Sequence, residues 1–169
     1  MDRTKLGHVS DTSSDTLRQR TPTKDTEVFE EIESVISAYS RRPARCGDYD
    51  PRAVEVARQI AAIIARYLPQ PRVEHIGSTA VPGCAGTGIV DLMIPAADGE
   101  MENATQCLDR PGFQRQTSHE HFANDRPVLT GAWAYDGETL LLHVHVIPAN
   151  APEVDAVRFF RARLRAERT

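Results

Sequence analysis

Lysine is almost missing from this sequence. Lys5 and Lys24 are the only two, and arginine supplies the rest of its 20 basic residues. Against 24 acidic residues this leaves a formal net charge of −4. A chain with that balance is not built to coat nucleic acid, although a small local basic patch remains compatible with it. Cysteine is sparse too. Cys46, Cys84 and Cys107 are odd in number and scattered. They show neither a Cys-x-x-Cys pair nor a mixed Cys/His ligand spacing, which speaks against a disulfide framework and a structural zinc site. Reduced thiols in a cytosolic protein are the expectation. No apolar run approaches the roughly 18 residues a membrane helix needs. The N-terminus, MDRTKLGHVSDTSSDTLRQR, lacks the apolar core of a secretory signal. A cytoplasmic protein with no membrane attachment is expected.

What is present fits one domain: 169 residues, 40% hydrophobic and 26% charged, against roughly 150 residues for a typical domain. Residues 1–26 are too polar to offset their ordering entropy and read as a flexible tail. Residues 27–169 then form the single domain. Val28, Phe29, Ile32, Val35 and Ile36 recur at helical spacing and predict a helix over 27–39, stopped at Arg41-Arg42-Pro43. Asp50-Pro51 starts a second helix whose stripe is Val54, Ala57, Ile60, Ala61, Ile64 and Leu68. A short strand at 73–76, a glycine-rich stretch from Gly77 to Gly88, a strand at 89–94 and a helix at 100–109 follow. Two strands, 127–135 and 138–147, flank Asp136-Gly137, a strong hairpin signal. A last helix runs from Pro152 to Arg168. This order implies an α+β fold, a small mixed sheet with helices packed mainly on one face.

Chemistry concentrates in two places. Ile76-Gly77-Ser78 ends a strand in residues that let the backbone turn tightly and approach a phosphate, with backbone N–H groups and a hydroxyl to hold it. Asp91, on the next strand, would face that turn and bind a divalent metal, Mg²⁺ or another. His143 and His145, two apart on a strand, project to one face, where with Asp91 they would bind metal, hold an anion or move protons. The Gly-Ser turn and following acid resemble the nucleotidyltransferase fold of the DNA polymerase β type, in which an acid-x-acid pair follows. Here the second acid's position is Met93. One carboxylate alone cannot bridge the two ions of a two-metal reaction.

The longer run Val73-Glu74-His75-Ile76-Gly77-Ser78-Thr79-Ala80-Val81-Pro82-Gly83 resembles the signature of the GrpB (UPF0157) family, whose fold is nucleotidyltransferase-like. Tyr49-Asp50-Pro51-Arg52, Gly88 to Met93, His143 to Pro148 and Pro152-Glu153-Val154 with the arginine-rich run 158–165 are similar to further family segments. The likeness spans about 49–166. The chain departs from the family where members often carry tryptophan (Ala53), a glycine-flanked lysine (Thr87) and a helix acid (Ala162). It stops at Thr169, where members usually continue for another helix, and residues 1–40 find no match. A shortened C-terminal helix would leave apolar surface and favour a homodimer.

The resemblance implies a nucleotidyltransferase, with a nucleotide or other phosphorylated small molecule as partner. Gly77, Ser78 and Thr79 would hold phosphate, assisted by Arg126 just before the hairpin. Asp91, His143 and His145 would be both metal ligands and catalytic groups. A non-catalytic accessory domain is the second reading, since the family also occurs attached to dephospho-coenzyme A kinase. A metal-dependent small-molecule enzyme using Asp91 and the two histidines is the third. Glu74 and His75 point to opposite faces of their strand, and one of them faces Asp91. The arginines at 158, 161, 165 and 168 read as a solvated helix face, and His119-Glu120-His121-Phe122 as a loop. Cys84 has no evident base beside it.

Overall fold

The computed structural model describes residues 34–43, 45–70, 72–116 and 126–167. The expected tail, the first part of the 27–39 helix, and His119 to Phe122 lie outside these residues. The elements are α1 (Arg52–Tyr67), β1 (Glu74–Ile76), a 3₁₀ turn (Ser78–Ala80), β2 (Val90–Ala96), α2 (Met101–Asp109), β3 (Gln114–Arg115), β4 (Val128–Tyr135), β5 (Glu138–Pro148) and α3 (Pro152–Ala166). The sheet order is β1-β2-β5-β4-β3. Only β2 and β5 run parallel, and the other pairs are antiparallel.

The Asp50 carboxylate accepts the backbone N–H of Arg52 at 2.9 Å and also grips its guanidinium, which sets the start of α1. The face this helix buries is Ala53, Val56, Ala57, Ile60 and Ile64. That is a small rotation from the expected stripe, and Val54 is left 47% exposed. Alternation along β2 and β5 splits the sheet into two faces. Val90, Leu92 and Ile94 with Leu142, Val144 and Val146 join α1 and α2 in the main core. Met93 and Ile147 join Ile76 and Val154 of α3 in a smaller core on the opposite face. Two helices therefore cover one face and α3 covers part of the other. The β4–β5 turn places Asp136 and Gly137 at φ 50° and 75°, as a type I′ hairpin requires.

Of the arginine stripe expected to be a solvated face, Arg158, Arg161 and Arg165 are instead engaged with β1 and the turn after it, and Arg168 lies outside the described residues. Arg158 and Arg161 both pair with Glu74 of β1, Arg161 also donates to the His75 carbonyl, and Arg165 donates twice to the Ala80 carbonyl. By register Glu74 shares the Asp91 face and His75 the other. The paired guanidinium of Arg158 leads the effects that hold the Glu74 carboxyl below its ordinary pKa.

Residues 34–39 correct the expected helix. Ser37 pairs with Ala132 through backbone hydrogen bonds of 3.0 and 2.9 Å, extending the sheet edge beside β4. Ile36 is 2% exposed while Val35 is 39% exposed, the alternation of an extended segment. Ile36 fills a notch at Gly131, where an added Cβ would come within 2.3 Å of the isoleucine Cγ2. Two adjacent apolar residues cannot by themselves distinguish a helix stripe from an edge strand.

His75 is largely withdrawn from water. The Thr79 hydroxyl donates to the Ile89 carbonyl at 3.1 Å, so His75 Nε2–H donates to Thr79 Oγ1 at 3.0 Å. Burial lowers the imidazole pKa to about 4, helped by Arg165 and Arg161 and opposed by Asp91. The unfolded chain therefore binds a proton at His75 where the folded chain does not, and stability falls as pH drops from about 6.5 toward 4. Urea denaturation between pH 7 and pH 5 should show a loss on the order of 1–2 kcal/mol that disappears in His75→Gln, which keeps a donor for Thr79. An unchanged pH slope in the variant would refute this assignment.

Candidate functional site

Asp91 and His143 are direct neighbours in the β2–β5 register, with Met93 and His145 one step further along. Because alternate residues share a face, Asp91, His143 and His145 converge. Asp91 Oδ1 lies 3.2 Å from His145 Nε2 and 3.5 Å from His143 Nδ1. All three side chains are only 19–24% exposed. Ligand atoms from the three lie within 4.8 Å of one another. Burial works to raise the Asp91 pKa, but the hydrogen bonds and charges of the two histidines outweigh it and hold the carboxyl below its usual range. Asp91 is thus a carboxylate at neutral pH.

The other carboxylate oxygen faces the glycine turn. A Cβ added to Gly77 would come within 2.7 Å of Asp91 Oδ2. Gly77 also sits at φ 71°, ψ −172°, a region essentially reserved for glycine. The turn, the acid and the two imidazoles therefore do share one place.

Three expected phosphate contacts fare differently. Ser78 begins the 3₁₀ turn with its hydroxyl turned to Gly86, where an added Cβ would fall 2.0 Å from Ser78 Oγ. Thr79 is buried and spends its hydroxyl on Ile89 and His75, so it is not available to a ligand. Arg126 is held by Glu153 in the first turn of α3 rather than left free for phosphate. Met93, where the second acid of a two-metal site would stand, is sealed in the smaller core with no exposure.

Tyr39 went unmarked in the sequence. Its hydroxyl lies 3.3 Å from His143 Nε2, and the two rings are 5.5 Å apart. No motif surrounds it, and 104 positions separate it from its partner. Its only sequence signal is an aromatic residue just before an arginine pair. His143 also lines a groove of about 1250 Å³ in which five arginines meet. Cys46, Cys84 and Cys107 are free thiols.

The GrpB family model, described as GrpB protein, matches residues 43–169. A UPF0157 protein of Streptomyces coelicolor is 34% identical over 125 residues, 71% of this chain and 60% of that protein. One of Halalkalibacterium halodurans is 27% identical over 124 residues, 70% of this chain and 59% of that protein. The chain thus spans about three-fifths of the length of these two relatives. The crystal structure of conserved protein GrpB from Enterococcus faecalis is similar at a TM-score of 0.57 and 26% identity, covering 72% of this chain and 73% of that one.

Gly77→Ala should be destabilising by about 1–3 kcal/mol through backbone strain, with a further cost from displacing Asp91. Gly99 has a comparable φ of 81° but open space around it. Gly99→Ala should therefore cost less in urea denaturation, and equal costs would mean that the Asp91 contact contributes nothing.

Proposed function

This chain belongs to the GrpB family, and we propose that its Asp91–His143–His145 cluster holds one divalent metal ion beside the Gly77 turn and acts there on a phosphate-bearing ligand, as a nucleotidyltransferase would. The observation that carries this reading is the donor spacing. Two ligands about 2.0–2.2 Å from one ion stand roughly 3–3.5 Å apart, and the Asp91–His145 and Asp91–His143 separations are 3.2 and 3.5 Å. Two imidazoles and one carboxylate suit Mn²⁺, Fe²⁺, Co²⁺ or Zn²⁺ better than Mg²⁺, which prefers an all-oxygen shell.

The metal, when bound, would supply Lewis-acid polarisation of a phosphoryl oxygen. The chain's own groups do the rest. Asp91 stays ionised and offers Oδ1 toward the imidazoles. Gly77, with no Cβ, lets the Asp91 carboxylate pack directly against the turn. The first N–H groups of a 3₁₀ turn have no partner within the turn and are suited to an anion. Tyr39 holds His143 through Nε2, which leaves Nδ1 directed at Asp91 and fixes the ring orientation, as outer-shell partners of metal-bound histidines do. With Met93 in place of an acid, the reading is a one-ion site. The same substitution favours the second reading, an accessory domain that binds ligand without turning it over.

Mn²⁺ should raise Tm by several degrees in the wild type and not in Asp91→Asn. With Mn²⁺ present, attack of water on the α-phosphorus should release pyrophosphate and leave the nucleoside monophosphate from at least one of ATP, GTP, CTP and UTP. No thermal shift with Mn²⁺, Fe²⁺, Co²⁺ or Zn²⁺ would remove the metal reading. Metal binding without pyrophosphate release would assign the accessory role instead.

A further inference from the structure

The groove beside His143 has an unusual lining. Arg41, Arg42 and Arg45 come from the segment ahead of α1, Arg52 from its first residue, and Arg115 from β3. Arg52 is paired with Asp50 and Arg115 with Glu102. Arg41, Arg42 and Arg45 are exposed and have no ion pair among the described residues. Among the described residues, Asp50 and Glu138 are the carboxylates of the lining, and Asp50 is occupied by Arg52. The positive charge is therefore local, set into a chain whose formal net charge is −4.

Size and shape narrow the occupant. The groove holds about 1250 Å³, above the ~300–1,000 Å³ of common small-molecule pockets. It runs from Ile89, just before β2, across β5 and β4 to Arg115 of β3. Three strand spacings make that roughly 14 Å. Arginine's planar fork suits bidentate contact with phosphate, and its donors do not titrate away. A long polyanion would leave the patch and run over a net-negative surface, whereas a ligand confined to the groove would not.

We infer that the groove is the binding site for an extended small ligand carrying several phosphate groups, of dinucleotide size, with one end at His143. Tyr39 stands where the groove meets the Asp91 cluster, so a ligand phosphate at that point lies beside the imidazole. The inference deepens the reading of the site as phosphate-handling and rests on it for the chemistry, but binding in the groove needs no metal. Tyr39, Arg41 and Arg42 precede residue 43, where the family match begins, so this wall is supplied partly by residues outside the matched span.

The test is isothermal titration of the full chain with diadenosine tetraphosphate in EDTA, with ATP and inorganic tripolyphosphate as comparison probes. Diadenosine tetraphosphate should bind more tightly than either. The triple variant Arg41→Ala/Arg42→Ala/Arg45→Ala should weaken it at least tenfold and flatten its salt dependence, with an unchanged Tm because the three side chains are exposed. Unaltered affinity in the triple variant, or tighter binding of a short single-stranded oligonucleotide, would each overturn the inference. Diadenosine tetraphosphate bound by the wild type in EDTA, with no metal-induced thermal shift, would sustain the groove while removing the metal reading.

Discussion

Asp91 reaches two imidazoles because β2 and β5 lie side by side with Asp91 level with His143. Slip that pairing by one residue and every side chain on β5 changes face. His143 and His145 would turn into the main core, and Leu142 and Val144 would turn toward Asp91. The apolar residues that prevent the slip, Leu92 and Ile94 against Val144 and Val146, are buried under α1 and α2. The polar cluster on one face is thus held in register by the greasy face behind it. A parallel pair also needs a long crossover, which α2, β3 and β4 provide.

The same face is divided between two uses. Toward one edge, α3 closes over Ile76, Met93 and Ile147 and is fastened by arginines to Glu74 and to the carbonyls of His75 and Ala80. Asp91, His143 and His145 stay partly open to water beside it. Met93 sits two residues from Asp91 on the same strand face, yet belongs wholly to the closed part. The covering helix and a second carboxylate compete for the same ground, and here the helix has it. Thr79 and Arg126, both polar residues near the site, are absorbed into its scaffolding in the same way.

Much of this was legible from residue order. Period-3.6 apolar spacing marked α1, Asp-Gly marked the hairpin, and the two-residue spacing of His143 and His145 gave a shared face. The strand-turn run beginning at Val73 carried the family. Hydroxyl direction was not legible, because Thr79 looks like a phosphate ligand until its bonds to Ile89 and His75 are seen. Nor was the fate of Val35-Ile36, since a short apolar pair is silent about period. β3, two residues long and exposed, left no pattern at all. Tyr39 and the groove depend on contacts between segments far apart in the chain, and no local motif records such contacts.

Gly131 has the last consequence. Its missing side chain is the socket for Ile36, and the peptide that follows shields the rim of β4 through Ser37 and Ala132. A bulkier residue at 131 would evict that peptide. The protein would lose in one step the Tyr39 ring beside His143, two guanidinium groups with no ion pair among the described residues, and the cover over a strand rim that could otherwise recruit another chain. The wall of the proposed groove and the cover over that rim both hang on the same hydrogen atom on one α-carbon.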